Sequence, residues 1–79
     1  MTGLDLGEKV KVSYADDRTY TLDVEVTAIR PPNEFIGRVE AIFLPSVGEL
    51  TSGQAFDELM GQEKTFKNED IVRRRADLP

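Results

Sequence analysis

From Gly7 onward, apolar and polar side chains alternate: Val10, Val12 and Tyr14 are separated by Lys11 and Ser13. A period of two puts one set on a buried face and the other on a solvated one, which predicts a β-strand. The same period returns over a longer run, with Tyr20, Leu22, Val24, Val26 and Ala28 on one side and Thr21, Asp23, Glu25 and Thr27 on the other. Residues directly opposite in an antiparallel pair share a face, so parity decides how the two strands join. Pairing Tyr14 with Tyr20 sets Val12 against Leu22 and Val10 against Val24, and it needs an odd connection. A two-residue turn at Asp16 and Asp17 would instead oppose Val12 to Thr21. The expected hairpin therefore has a three- or five-residue loop.

Pro31 and Pro32 lack the N–H that a ladder needs and push Arg30 toward an extended conformation, so the second strand is expected to stop near Ile29. A third strand starts at Phe35, with Val39, Ala41 and Phe43 on one face and Ile36, Ile42 and Leu44 on the other. Gly37 inside it predicts a bulge or bend, and Pro45 closes it. Ser46 to Gly53 reads as an exposed loop. Ala55, Phe56, Leu59 and Met60 fall at helical spacing, with Thr51 or Ser52 as the expected cap and Gly61 as the stop; the pattern leaves helix and loop both open for 52–60. Glu63 to Phe66 resumes extended character. Lys67 to Asp70 suits one tight turn in which Asn68 bonds to neighbouring backbone, and Ile71 and Val72 open a last strand. The expected domain runs from residue 7 to 75, with flexible ends at 1–6 and 76–79.

This order of hairpin, long bent strand, loop with a helix, short strand, one-turn connection and short strand resembles Src-homology-3-like (SH3-like) and Tudor-like small β-barrels. The resemblance covers Gly7 to Arg74 and is one of architecture. In that group a single turn of tight helix typically joins the last two strands, and FKNED followed by Ile71 and Val72 stands where that turn would be. It implies a mainly β fold, a small five-stranded SH3-like antiparallel barrel with one short helix or helical turn. Architecture of this kind names no function.

The chain has 79 residues, room for one small domain with a modest core. It contains neither histidine nor cysteine, which removes disulfides, thiol nucleophiles, zinc knuckles and every imidazole-based proton shuttle. No enzyme, cofactor or metal is expected. The adjacent acidic pairs Asp16–Asp17, Asp57–Glu58 and Glu69–Asp70 lack the spacing of a calcium loop, and the glycines between Gly48 and Gly53 lack that of a phosphate cradle. With no run near the ~20 apolar residues of a membrane span, and no basic region followed by an apolar run at the start, a cytoplasmic protein is expected.

Three surfaces stand out as candidates. Ile36, Ile42 and Leu44, beside Arg38 and Glu40, would form an exposed apolar stripe for a protein partner or a second copy if the core fills from the other face, and are equally suited to be core beneath the helix. Lys64, Lys67, Arg73, Arg74 and Arg75 make the last stretch basic: residues 64–79 carry a net charge of +2, residues 1–63 one of −7. They could hold a nucleic-acid backbone or an acidic partner, or simply guard an edge strand from aggregation. Tyr14 and Tyr20, next to Asp16 and Asp17, suit an aromatic cage for a methylated cation, or an ordinary stabilising pair. The overall expectation is a non-catalytic protein-interaction or self-assembly module, with RNA association through the basic stretch as the alternative and no membrane partner.

Overall fold

A computed structural model describes residues 4–16 and 18–74. Strands β1 (Lys9–Ala15) and β2 (Thr19–Arg30) form the expected hairpin. Val10 lies opposite Val24, Val12 opposite Leu22 and Tyr14 opposite Tyr20, and Ala15 opposite Thr19 leaves a three-residue connection. Upstream, Gly7 donates to Val26 O at 2.7 Å and Val26 to Glu8 O at 2.8 Å. Leu4 also packs against the core.

Strand β3 (Glu34–Leu44) follows a turn at 31–33 and pairs along β2. Its far edge is shared by β4 (Gly48–Glu49), opposite Phe43 and Leu44, and by β5 (Glu63–Lys67), opposite Glu34–Arg38. The expected loop at 46–53 thus contains a sixth, two-residue strand. Between β4 and β5 lies the helix α1 (Gln54–Leu59). Gly53 caps it, in place of Thr51 or Ser52, with no side-chain bond. Its φ of +104° is a backbone state that favours glycine over a hydroxyl-bearing residue. After Leu59 the chain turns extended at Met60, and the Gly61 amide bonds to Val39 O at 3.0 Å.

Strand β6 (Ile71–Arg74) pairs with the free edge of β1. The result is mainly β: a six-stranded antiparallel sheet in the order β4-β3-β2-β1-β6, with β5 beside β4 on β3. It is not closed into a barrel. A single 3₁₀ turn, Asn68–Asp70, joins β5 to β6. Asp70, rather than the expected Asn68 side chain, caps it: Asp70 Oδ2 accepts from Lys67 N at 3.1 Å. The Asn68 amide instead donates to Asn33 O at 2.8 Å, tying the turn to the β2–β3 connection. Asp70→Ala is expected to lower the urea midpoint, at unchanged m-value, by the equivalent of about 1 kcal/mol.

Two irregularities shift the phase of the β2–β3 ladder. Asp23 faces Ala41 but Val24 faces Val39, so Glu40 has no partner; Val26 faces Gly37 but Ala28 faces Ile36, so Thr27 has none. A bulge adds one residue to one strand and reverses which side chains point inward beyond it. Val39 and Ile42 therefore both enter the core, where Ile42 is 0% exposed. This corrects the expected face assignment of β3. Ile42 does not belong to an exposed stripe, Leu44 packs against the core beside it, and Ala41 and Phe43 are only half-buried. Ala28 likewise leaves the inward set of β2.

The core comprises Val10, Val12, Tyr20, Leu22, Val24, Val26, Phe35, Val39, Ile42, Leu59 and Phe66. Phe35 and Phe66, opposite each other on β3 and β5, stack with centroids 5.7 Å apart. Gly37 fits beneath them because it has no side chain. A Cβ there would lie 2.8 Å from Val24 Cγ2 and 3.4 Å from the Phe66 ring. Among the described residues, no helix is long and apolar enough to cross a membrane.

Candidate functional site

The outward side chains of β1, β2 and β3 form a charged lattice. Lys9 Nζ lies 2.7 Å from Glu40 and 3.6 Å from Glu25; Arg38 bonds to Glu25 and lies 3.6 Å from Glu40; Lys11 bonds to Asp23 at 2.6 Å. Lys11 also sits over the Phe43 ring, 4.3 Å from its centroid. Each cation here is engaged, Arg38 of the expected partner surface included. Ile36 is half-buried on the same side, where Thr27 Oγ1 donates to its carbonyl at 3.3 Å. This face offers a partner little unsatisfied charge, and the buried Ile42 is not part of it.

The hydrogen bond from Lys9 is the main cause holding the Glu40 carboxyl below its ordinary value of 4.5, against partial desolvation, which pushes it up. A carboxylate whose pKa is lower folded than unfolded adds stability above the unfolded value, and that stability is lost as pH falls through the folded one. Acid titration of stability should therefore be steeper below about pH 4.5 in the wild type than in Glu40→Gln. The difference is small, because these side chains are exposed and screened. Equal slopes would mean that the Lys9 contact does not persist in solution.

Lys64 and Lys67 do not share a face of β5. Lys64 and Phe66 share the inward side of β5, whereas Lys67 lies on the other side by the alternation of the strand. The Lys64 ammonium sits 5.5 Å from the centroid of the Tyr14 ring. Arg73 and Arg74 pair by backbone with Lys11 and Val10; their side chains, and the whole of Arg75 and Asp17, lie outside the described residues. Tyr14 and Tyr20 do come together, with centroids 6.5 Å apart and ring planes at 33°. Tyr20 is buried, and the chain's own Lys64 lies over the Tyr14 ring. The Tyr14 ring thus carries a cation of the chain itself.

A concavity of about 540 Å³ opens at the same end of the sheet, between the β1–β2 turn and α1. Its deep side is apolar: Tyr20 from β2, Leu44 from β3, Leu50 just after β4 and Leu59 from α1. The Leu50 amide donates to Ile42 O at 2.8 Å, which fixes the wall to β3. The rim consists of exposed residues, Asp16 and Arg18 on one side and Ser52, Gln54 and Glu58 on the other. Gln54 Nε2 donates to Glu58 Oε2 at 3.1 Å along α1. Apolar depth with a few polar groups at the mouth, on a scaffold of strands, is the usual form of a binding cleft.

Of the expected site residues, Tyr20 and Leu44 meet here. Leu50, Ser52, Gln54, Glu58 and Arg18 were not singled out from sequence. Leu50 could have been, as one of two large apolar residues, with Val47, in the loop 46–53. No family model matches the chain, and no match was found among curated proteins or among solved structures.

Proposed function

We propose that the chain is a non-catalytic protein-interaction module of the small SH3-like barrel type, which docks its partner in the concavity between the β1–β2 turn and α1. The strand sequence β6-β1-β2-β3-β5, with a 3₁₀ turn between β5 and β6, supports the barrel reading. The lack of histidine and cysteine supports a non-catalytic role. The observation that carries the docking reading is the contrast between two faces. The outer face of the sheet has its cations engaged internally, while the concavity exposes an apolar floor under a polar rim. Buried apolar area at the centre with polar groups around it is the composition of an interface. The nucleic-acid alternative has less support, since Lys64 and Lys67 fall on opposite faces of β5.

The test is a selection of binders from a random peptide-display library, followed by amide-shift mapping and a blocking variant. Binders should shift Asp16, Arg18, Tyr20, Leu44, Leu50 and Ala55. Ser52→Trp, at an exposed rim position, should abolish binding while changing stability by no more than about 0.5 kcal/mol. Binders that map to the outer face, or that tolerate Ser52→Trp, would refute the proposal.

A further inference from the structure

Two of the three charged side chains that line the concavity are acidic. Between Arg38 and Lys64 the sequence has no lysine or arginine, but it has Glu40, Glu49, Asp57, Glu58 and Glu63. Of these acids Glu58, on α1, lines the concavity. The opposite wall adds Asp16, and the lone cation of the lining is Arg18. Among the described residues, neither Asp16 nor Glu58 forms an ion pair, and Arg18 has no carboxylate partner. The acids of the outer face, by contrast, are engaged by Lys9, Lys11 and Arg38. Among the described residues, Asp16 and Glu58 thus stand at the mouth of the apolar floor outside any ion pair.

Resting on the docking reading above, we infer that the partner is a basic segment of another protein with aliphatic anchors: leucine-like side chains fill the space over Tyr20, Leu44, Leu50 and Leu59, and flanking lysines or arginines meet Asp16 and Glu58. Complementary rim charge of this kind steers association and selects among partners more than it adds affinity. Arg18 is then a selectivity element, repelling a segment whose positive charge is placed on its side of the mouth.

The test uses the intact protein and two synthetic probes: a short glycine–serine peptide carrying a pair of leucines between lysines, and its counterpart with glutamates in place of the lysines. The lysine peptide should shift the amides of Asp16, Tyr20, Leu50 and Ala55, and bind at least about tenfold more tightly than the glutamate peptide. Raising salt from about 50 to about 300 mM should remove most of that preference. Arg18→Glu should tighten the lysine peptide about threefold, and Asp16→Asn with Glu58→Gln should weaken it by a similar factor or more. Equal binding of both peptides in the concavity would overturn the charge inference and leave the docking reading standing. Lysine-peptide shifts outside the concavity, or none from either peptide, would also overturn it; the display selection with Ser52→Trp then decides the docking reading separately.

Discussion

Ile42→Glu is expected to leave the chain unfolded. Ile42 has no exposed surface and sits in the core with Leu22, which it faces across the β2–β3 ladder. An ionised carboxylate there, with no cation nearby to pair it, costs several kcal/mol on top of the lost apolar burial. A domain of this size is stable by roughly 4–12 kcal/mol, so the substitution consumes most or all of it. Ile42→Val, which removes one methyl group, should cost only about 0.5–1.5 kcal/mol and keep the fold. Far-UV circular dichroism and amide dispersion would show the difference directly. A folded Ile42→Glu protein would mean that the side chain points outward, and therefore that the bulge at Glu40 is absent in solution.

Gly37→Ala should be the most damaging single-methyl addition in the sheet, at about 2–3 kcal/mol. The new Cβ would lie 2.9 Å from Val24 Cβ as well as 2.8 Å from its Cγ2. A methyl at that distance cannot be cleared by rotating the valine, because the clash includes the branch point itself and a β-branched side chain has few rotamers. The backbone of β2 or β3 must move, and β3 is held on both edges by β2 and β5. Coupling to Val24 gives a second readout. Val24→Ala alone opens a cavity, but in Gly37→Ala with Val24→Ala the added methyl meets a smaller neighbour, so the double variant should lose less than the sum of the single losses. Strict additivity in urea melts would show that the two positions do not touch.

The same two positions show what the amino-acid pattern encodes and what it leaves open. The β1–β2 register was legible because parity admits few loops: Tyr20, Leu22 and Val24 on β2 must face Tyr14, Val12 and Val10 on β1, and only an odd connection allows it. The turn before β6 was legible from its composition. The phase of β3 was not, because Ala41, Ile42, Phe43 and Leu44 are all apolar and alternation cannot choose a face within such a run. The choice comes from tertiary structure, as the bulges at Thr27 and Glu40 curve the sheet over its core. Strand β4, at two residues, is too short to show a period, and a glycine cap leaves no hydroxyl or carboxylate to find. At the candidate site, Tyr20 and Leu44 were visible as strand residues. Leu50, Ser52 and Glu58 become neighbours of Asp16 and Arg18 only once β3 and α1 have brought distant segments together, although the absence of basic residues from 39 to 63 was a readable sign that this wall is acidic.

The paired tyrosines also decide what light can report about this protein. With no tryptophan in the chain, Tyr14 and Tyr20 are its only strong near-ultraviolet chromophores, and both stand at the closed end of one hairpin. Intrinsic emission and near-ultraviolet dichroism are therefore local signals from the end of the molecule that holds the concavity, while Phe35 and Phe66 at the centre are nearly silent. A fluorescence-detected melt follows that hairpin alone, and its agreement with backbone dichroism is the direct measure of whether the rest of the sheet melts with it. For the same reason, a ligand seated over Tyr20 would announce itself without any label.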